Sequence, residues 1–248
     1  MPQRHDGRAE DELRNAEIRP GYLDLPPGSA LIVMGRTRVL CTAMVDERVP
    51  QFLVGTNQGW ITGEYGMIPA ATDTRTQREA ARGRQSGRTM EIQRLVGRAM
   101  RSVIERKALG ERTVWIDCEV LQADGGTRTA SITGGFVALC LALARLRKDG
   151  AIKHPLVHGM VAAVSVGIVE GRAVLDLDYA EDSKAEVDMN VVRTEDGRYI
   201  ELQGTAEATP FSRAQLDSML GLAGRGIEHL VRLQREAVGE ALSSLLVK

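Results

Sequence analysis

Cysteine is scarce. The 248 residues hold three, Cys41, Cys118 and Cys140, with no CxxC spacing and no even number to pair. A disulfide framework is therefore excluded, and the thiols read as reduced side chains of a cytoplasmic protein. Histidine is equally thin: His154 and His158 are four apart, but Pro155 breaks the segment and no third ligand lies near in sequence, so a histidine metal site is not expected. No long apolar run occurs. The longest uncharged stretch, residues 129–144, is shorter than the ~18–20 residues a bilayer requires, so no membrane span is expected. The N-terminus opens on Arg4, Asp6, Arg8, Glu10, Asp11 and Glu12 without an apolar stretch, so no signal peptide is expected. GxxxxGK[ST], GxGxxG, GxSxG and HExxH are all absent, which removes support for the common nucleotide-hydrolase, serine-hydrolase and zinc-protease chemistries. What remains is ordinary for a globular chain, 43% apolar and 26% charged. Its length suits one compact unit or two small, tightly packed subdomains.

The net charge of −1 hides a segregation. Residues 75–107 carry nine Arg and one Lys against three Glu, whereas residues 170–207 carry eleven acids against four bases. Only five of the 32 basic residues are Lys. Arginine's planar fork suits bidentate contact with phosphate.

Apolar periodicity outlines an α+β chain. Residues 33–45 read as a hairpin about Gly35-Arg36, and residues 56–73, rich in Gly, Asn and Thr, as a long loop. From Thr89 the spacing of Ile92, Leu95, Val96, Ala99, Met100 and Val103 predicts an amphipathic helix with Arg94, Arg98 and Arg101 on its solvent face. Val114, Ile116, Cys118 and Val120 alternate as a strand. Residues 130–147 form a helix apolar nearly all round, hence an internal one. Two hairpins follow, residues 160–179 about Glu170-Gly171-Arg172 and residues 187–203 about Glu195-Asp196-Gly197. Ser212 with Gln215 then opens a helix that runs to about Leu246, weakened early by Gly221, Gly224 and Gly226. Strands then helix, twice over, imply two similar sheet-plus-helix halves packed together, residues 1–153 and 154–248.

Two segments carry chemistry. Asp124-Gly125-Gly126-Thr127-Arg128 joins a buried strand to the internal helix, and its amides, glycines, hydroxyl and guanidinium suit an oxyanion. Ser86-Gly87-Arg88-Thr89 repeats that logic at the start of the basic helix. Asp182 and Asp188 flank a short acidic link, where paired hard oxygens suit Mg²⁺ or Mn²⁺. Carboxylates, a divalent ion and arginines are the parts that phosphoryl transfer requires.

The same residues resemble the ribonuclease PH family along nearly the whole chain. The likeness runs through Arg4-His5-Asp6-Gly7-Arg8, Gly59-Trp60-Ile61-Thr62, Glu64-Tyr65, residues 86–94, Gly110-Glu111-Arg112-Thr113, residues 122–133, residues 182–190 and Glu201-Leu202-Gln203-Gly204-Thr205. The resemblance implies a ribonuclease PH-like fold and phosphate-dependent 3′ to 5′ exoribonuclease activity that trims tRNA precursor 3′ ends, reversible to extension. It implies that Arg88, Gly126, Thr127 and Arg128 bind inorganic phosphate and that Asp182 and Asp188 serve a catalytic Mg²⁺. RNA would be met by Arg75, Arg78 and Arg94, and six copies would form a cytoplasmic ring, a trimer of dimers. One departure lies in residues 67–72, a stretch in which many relatives carry a basic residue, whereas Ala70 here cannot contact phosphate. The alternative, a non-catalytic RNA-binding ring subunit, would be expected to lack the aspartate or the arginine pair, and this chain has both.

Overall fold

The computed structural model describes residues 4–207 and 209–247. The architecture is α+β, with two sheets around one main apolar core and a small satellite of Val174, Leu177 and Ala185. The first sheet holds β1 (Ala16–Pro20), β2 (Gly28–Met34), β3 (Thr37–Asp46), β4 (Trp60–Met67) and β5 (Thr113–Gln122) in the order β1-β2-β3-β5-β4. Only the β4–β5 pair is parallel. The second, wholly antiparallel, orders β6 (Val161–Val169), β7 (Arg172–Leu175), β8 (Val187–Thr194) and β9 (Tyr199–Ala206) as β7-β6-β8-β9.

Helix α3 (Thr127–Lys148) packs against strands of both sheets, as its all-round apolar surface demands. By length and composition it could cross a membrane, but most of it is buried inside the fold. A Cβ on Gly134 would stand 2.8 Å from Ile32 Cγ2, so a glycine is what lets α3 lie close to β2. Thr133 Oγ1 bonds both the N–H and the carbonyl of Ala163, and Gln234 Nε2 donates to Thr133 O and Val161 O. These buried bonds tie α3, β6 and the last long helix into one body.

Helix α1 (Gly87–Arg101) covers β4, and a short helix, α2 (Arg106–Leu109), follows it. Residues 56–73 are not one loop: they contain β4, the parallel edge strand. Its inward positions are Ile61, Gly63 and Tyr65, and a Cβ on Gly63 would lie 2.9 Å from Val96 of α1. Small and polar residues mask the alternation, and the pairing partner β5 lies some fifty residues on. Arg101 also leaves the solvent face, stacking 4.2 Å from the Trp60 ring and donating to Ile61 O at 2.6 Å. Cys41 and Cys118, far apart in sequence, are register partners across β3 and β5 and remain free and buried. Hydrogen bonding to Cys118, then burial, holds the Cys41 thiol well above its ordinary value.

In the second half the strand expected to reach Tyr179 stops at Leu175, because Asp176 adopts a left-handed φ of 55° and turns the chain into α4 (Tyr179–Asp182). Both hydrogen bonds of the Ser212–Gln215 capping box form at the start of α5 (Arg213–Val238). That helix is continuous through its glycines: a Cβ on Gly226 would stand 2.8 Å from Leu175 Cδ1, so the residue permits packing on β7. It ends at Gly239, short of Leu246, and α6 (Ala241–Leu245) is a separate turn.

Candidate active site

The Asp124-Gly125-Gly126 turn carries the chain from β5 into α3, with Gly125 and Gly126 at left-handed φ values of 72° and 65°. A Cβ on Gly125 would sit 2.6 Å from Leu177 O, so only glycine lets this turn close onto the segment after β7. Gly126 is the N-cap of α3 and offers no side-chain acceptor to its first amides. Those amides and the helix dipole make an anion seat. Thr127 follows, its Oγ1 sharing a 2.9 Å hydrogen bond with buried Tyr65 Oη.

Arg128 is half anchored. Its Nη1 donates to Gln203 Oε1 of β9 at 2.5 Å and stands 3.3 Å from Glu91 Oε2 of α1. Its Nε and Nη2 have no hydrogen-bond partner among the described residues. Arg88, in the first turn of α1, is exposed, and its side chain makes no hydrogen bond or ion pair among the described residues. Both guanidinium groups act electrostatically on Tyr65, Asp182 and Asp188, so the two helix starts converge on one place. The Ser86 segment is not a second anion seat: Ser86 Oγ accepts from the Thr89 amide at 3.2 Å and caps α1 itself. Its contribution is Arg88.

Asp182 ends α4, which is held by an Asp178–Glu181 capping box, and Asp188 is the second residue of β8. Burial, then repulsion from Asp182, pushes the Asp188 carboxyl up to about 6, while Arg128 and Arg88 pull the other way. Burial likewise raises Asp182, opposed by Arg88, Arg128 and Arg14, and Glu207 adds repulsion to both. Neither carboxylate accepts a hydrogen bond from a described residue. Crowded, unbonded carboxylate oxygens without soft ligands fit a hard divalent ion such as Mg²⁺ or Mn²⁺.

Beside Tyr65 opens a cleft of about 730 Å³ lined by Arg78, Arg82, Arg84, Arg88 and Glu119. Thr89 Oγ1 donates to Glu79 Oε1 at 2.9 Å, tying the basic arm, residues 75–84, to α1. Arg75 is exposed on the arm outside the cleft lining, and Arg94 is exposed on α1, also outside it. Ala70 is exposed where β4 leads into the arm. Tyr65, Glu91, Gln203 and Glu207 carry no role in the sequence reading. Alternation about Ile61 and Gly63 could have turned Tyr65 inward, but nothing local marks polar residues of the edge strand β9.

A profile of the 3′ exoribonuclease family, domain 1, matches residues 12–144, and one of domain 2 matches residues 159–226. Ribonuclease PH of Syntrophomonas wolfei is 56% identical over 237 residues, covering 96% of this chain and 99% of the relative. This chain belongs to the ribonuclease PH family. The Bacillus subtilis ribonuclease PH is 54% identical, covering 98% of this chain and 99% of the relative. Among solved structures, rice Rrp46 superposes with a TM-score of 0.76 at 19% identity, covering 95% of this chain and all of that one. The Archaeoglobus fulgidus exosome with RNA bound to the active site gives 0.75 at 22%, covering 96% and 93%. These two share the fold, the two sheet-plus-helix domains described above. The convergence of the α3 start, Arg88 and the aspartate pair makes this place the candidate catalytic centre.

Proposed function

We propose that this chain is a phosphate-dependent 3′ to 5′ exoribonuclease, a nucleotidyltransferase that trims tRNA precursor 3′ ends. Inorganic phosphate attacks the phosphorus of the terminal phosphodiester, the bond from that phosphorus to the 3′ oxygen of the preceding nucleotide breaks, and that oxygen takes up a proton, so that a nucleoside diphosphate and an RNA one residue shorter are released; the reverse reaction extends RNA. The observation that carries this reading is the convergence of an uncapped helix start and two incompletely paired arginines on a repelling aspartate pair. The attacking phosphate is already anionic at neutral pH, so positioning and charge neutralisation do the work. The Gly126, Thr127 and Arg128 amides with the Arg88 and Arg128 side chains hold that anion. Tyr65 fixes the Thr127 hydroxyl, and Gln203 with Glu91 fixes the Arg128 rotamer. Asp182 and Asp188 would hold Mg²⁺ or Mn²⁺, which supplies positive charge at the scissile phosphate. A hydrolytic nuclease would need no anion seat. The deciding experiment incubates RNA with and without inorganic phosphate: nucleoside diphosphates that appear only with phosphate support the reading, and monophosphates without it overturn it.

The basic arm serves the RNA backbone beyond the catalytic centre. Arg75→Ala with Arg78→Ala is expected to weaken binding of tRNA precursors and lower the salt slope by about 1–2, since each lost phosphate contact removes one counterion-release step. Turnover of a short oligonucleotide should change much less. Filter binding across a salt series tests this, and an unchanged slope would remove the arm from the RNA path.

The assembly we infer is a homohexameric ring, a trimer of dimers, which would gather six basic arms around one RNA entrance. The exosome assignment of one fold neighbour supports it. Sedimentation should give a particle six times the 27.0 kDa chain. A monomer that processes tRNA precursors at the full rate would refute it. The three buried, free cysteines are compatible with the cytoplasm as its compartment.

A further inference from the structure

Beneath the anion seat lies a buried ion pair that the chemistry above does not use. Arg14 and Asp176 have side chains 5% and 0% exposed. Arg14 Nη2 donates to Asp176 Oδ1 at 2.7 Å, while its Nε and its backbone N–H donate to Oδ2 at 3.0 and 2.9 Å. We propose that this pair is a positioning device for phosphorolysis, holding the phosphate turn at its working distance from Asp182; the proposal rests on the functional reading above.

Three observations carry it. Arg14 Nη1 donates to the carbonyl of Asp124, the residue that opens the turn. A Cβ on Gly126 would lie 3.1 Å from Arg14 Nη2 and 3.9 Å from Asp176 Oδ1, so the pair forms the floor of the seat. On the other side, the Asp176 carbonyl accepts from Arg8 Nη1 at 2.9 Å and Arg4 Nη2 at 3.1 Å, and Arg4 Nε donates to Glu181 Oε1 at 2.7 Å, one residue before Asp182. A continuous set of charge-assisted bonds thus runs from the start of α3, in the first domain, to the end of α4, in the second. Arg14 also acts electrostatically on Asp182 itself.

Stability alone does not account for the arrangement. A buried ion pair gains little over apolar residues of the same volume, because desolvation offsets attraction. Asp176 also holds a left-handed φ of 55° that most side chains avoid. Such strain persists where surrounding structure over-determines it, and it clusters at functional sites. Phosphate turn and aspartate pair come from segments that lead out of different sheets, and these charge-assisted bonds link the two directly. Groups behind a site that set its geometry commonly cost 10–100-fold in affinity or activity when removed.

A single Arg14→Met would leave the buried Asp176 carboxylate with only Arg8 Nη1, 3.7 Å away, and risk the fold, so the test uses Arg14→Met with Asp176→Asn, in which both charges of the pair are gone and Asn still tolerates φ above zero. Inorganic phosphate binding is read by calorimetry, alongside kcat, KM for RNA and thermal midpoint. The expected result is a midpoint within about 4 °C of the wild type, phosphate affinity and kcat each down about tenfold, and KM for RNA unchanged. A double variant equally stable that binds phosphate and turns over like the wild type overturns the proposal. Should the double variant fail to fold, Arg14→Lys keeps the charge but loses the fork to Asp176 and Asp124; the same loss of phosphate affinity supports the positioning role, and wild-type affinity overturns it. A wild-type protein that binds no phosphate would instead sink the phosphorolytic reading itself.

Discussion

Asp188→Asn is expected to cut turnover by about 10²–10³-fold while RNA affinity stays within about twofold. Asparagine keeps the size and one oxygen, so packing beside Gly167 and Thr205, its neighbours in register, is preserved. The charge is what goes. Since neither Asp182 nor Asp188 accepts a hydrogen bond from a described residue, their function is to present negative oxygen, and the loss falls on the transition state rather than on docking of the RNA backbone. Asp182→Asn should behave alike. Near wild-type rates in either variant at saturating Mg²⁺ would remove the aspartates from the catalytic centre.

The same carboxyl sets a pH dependence. Asp188 is raised from 3.8 to about 6 in the folded chain, burial being the main cause. An acid whose folded value lies above its unfolded value stabilises the fold most at low pH, and that contribution fades as pH rises through the window between them. The metal-free wild type should therefore lose stability between about pH 4 and pH 6 relative to Asp188→Asn, which has no such proton to lose. Because protons and a divalent ion compete for one carboxylate, the Mg²⁺ concentration giving half-maximal activity should climb as pH drops below about 6. Urea midpoints and Mg²⁺ titrations across this range check both; a flat Mg²⁺ requirement would mean that Asp188 is not a ligand.

Arg128→Lys should raise the phosphate KM by about 30-fold, although the charge is unchanged. The guanidinium now spends Nη1 on Gln203 and Glu91 and keeps two other nitrogens for an anion. An ammonium can satisfy the anchor or the phosphate, not both in a fixed plane. Charge-assisted hydrogen bonds contribute ~1.5–3 kcal/mol each, or about 10–150-fold in affinity. The effect should fall on phosphate and leave KM for RNA nearly unchanged. Steady-state kinetics at varied phosphate reads it directly, and an unchanged phosphate KM would take Arg128 out of the seat.

Much of this protein is legible locally. Apolar spacing marks α1 and the internal helix α3, Gly-containing turns mark the hairpins, and Ser212 with Gln215 marks the start of α5, because each depends on residues within a few positions of one another. The groups of the candidate site could be read too where they sit in short segments: the glycine turn before α3 and the acidic link at residues 182–188. Strand β4 escaped because an edge strand paired in parallel to a distant partner needs little alternation of its own. Overestimated reach at α5 has a similar origin, since a helix's end depends on what its last turn packs against.

The sequence by itself determined which groups are available: arginine forks in residues 75–107, glycines able to take left-handed φ at 125 and 126, and carboxylates at 182 and 188. Only the tertiary structure decided which of them meet. Tyr65 reaches Thr127, Gln203 reaches Arg128, Cys41 lies opposite Cys118, and Arg14 lies under Gly126, across separations of 62 to 112 residues for the first three pairs and the fourth. The physical reason is that periodicity records how a segment faces its own core, whereas long-range pairing follows from strand order and from a buried helix that both sheets share.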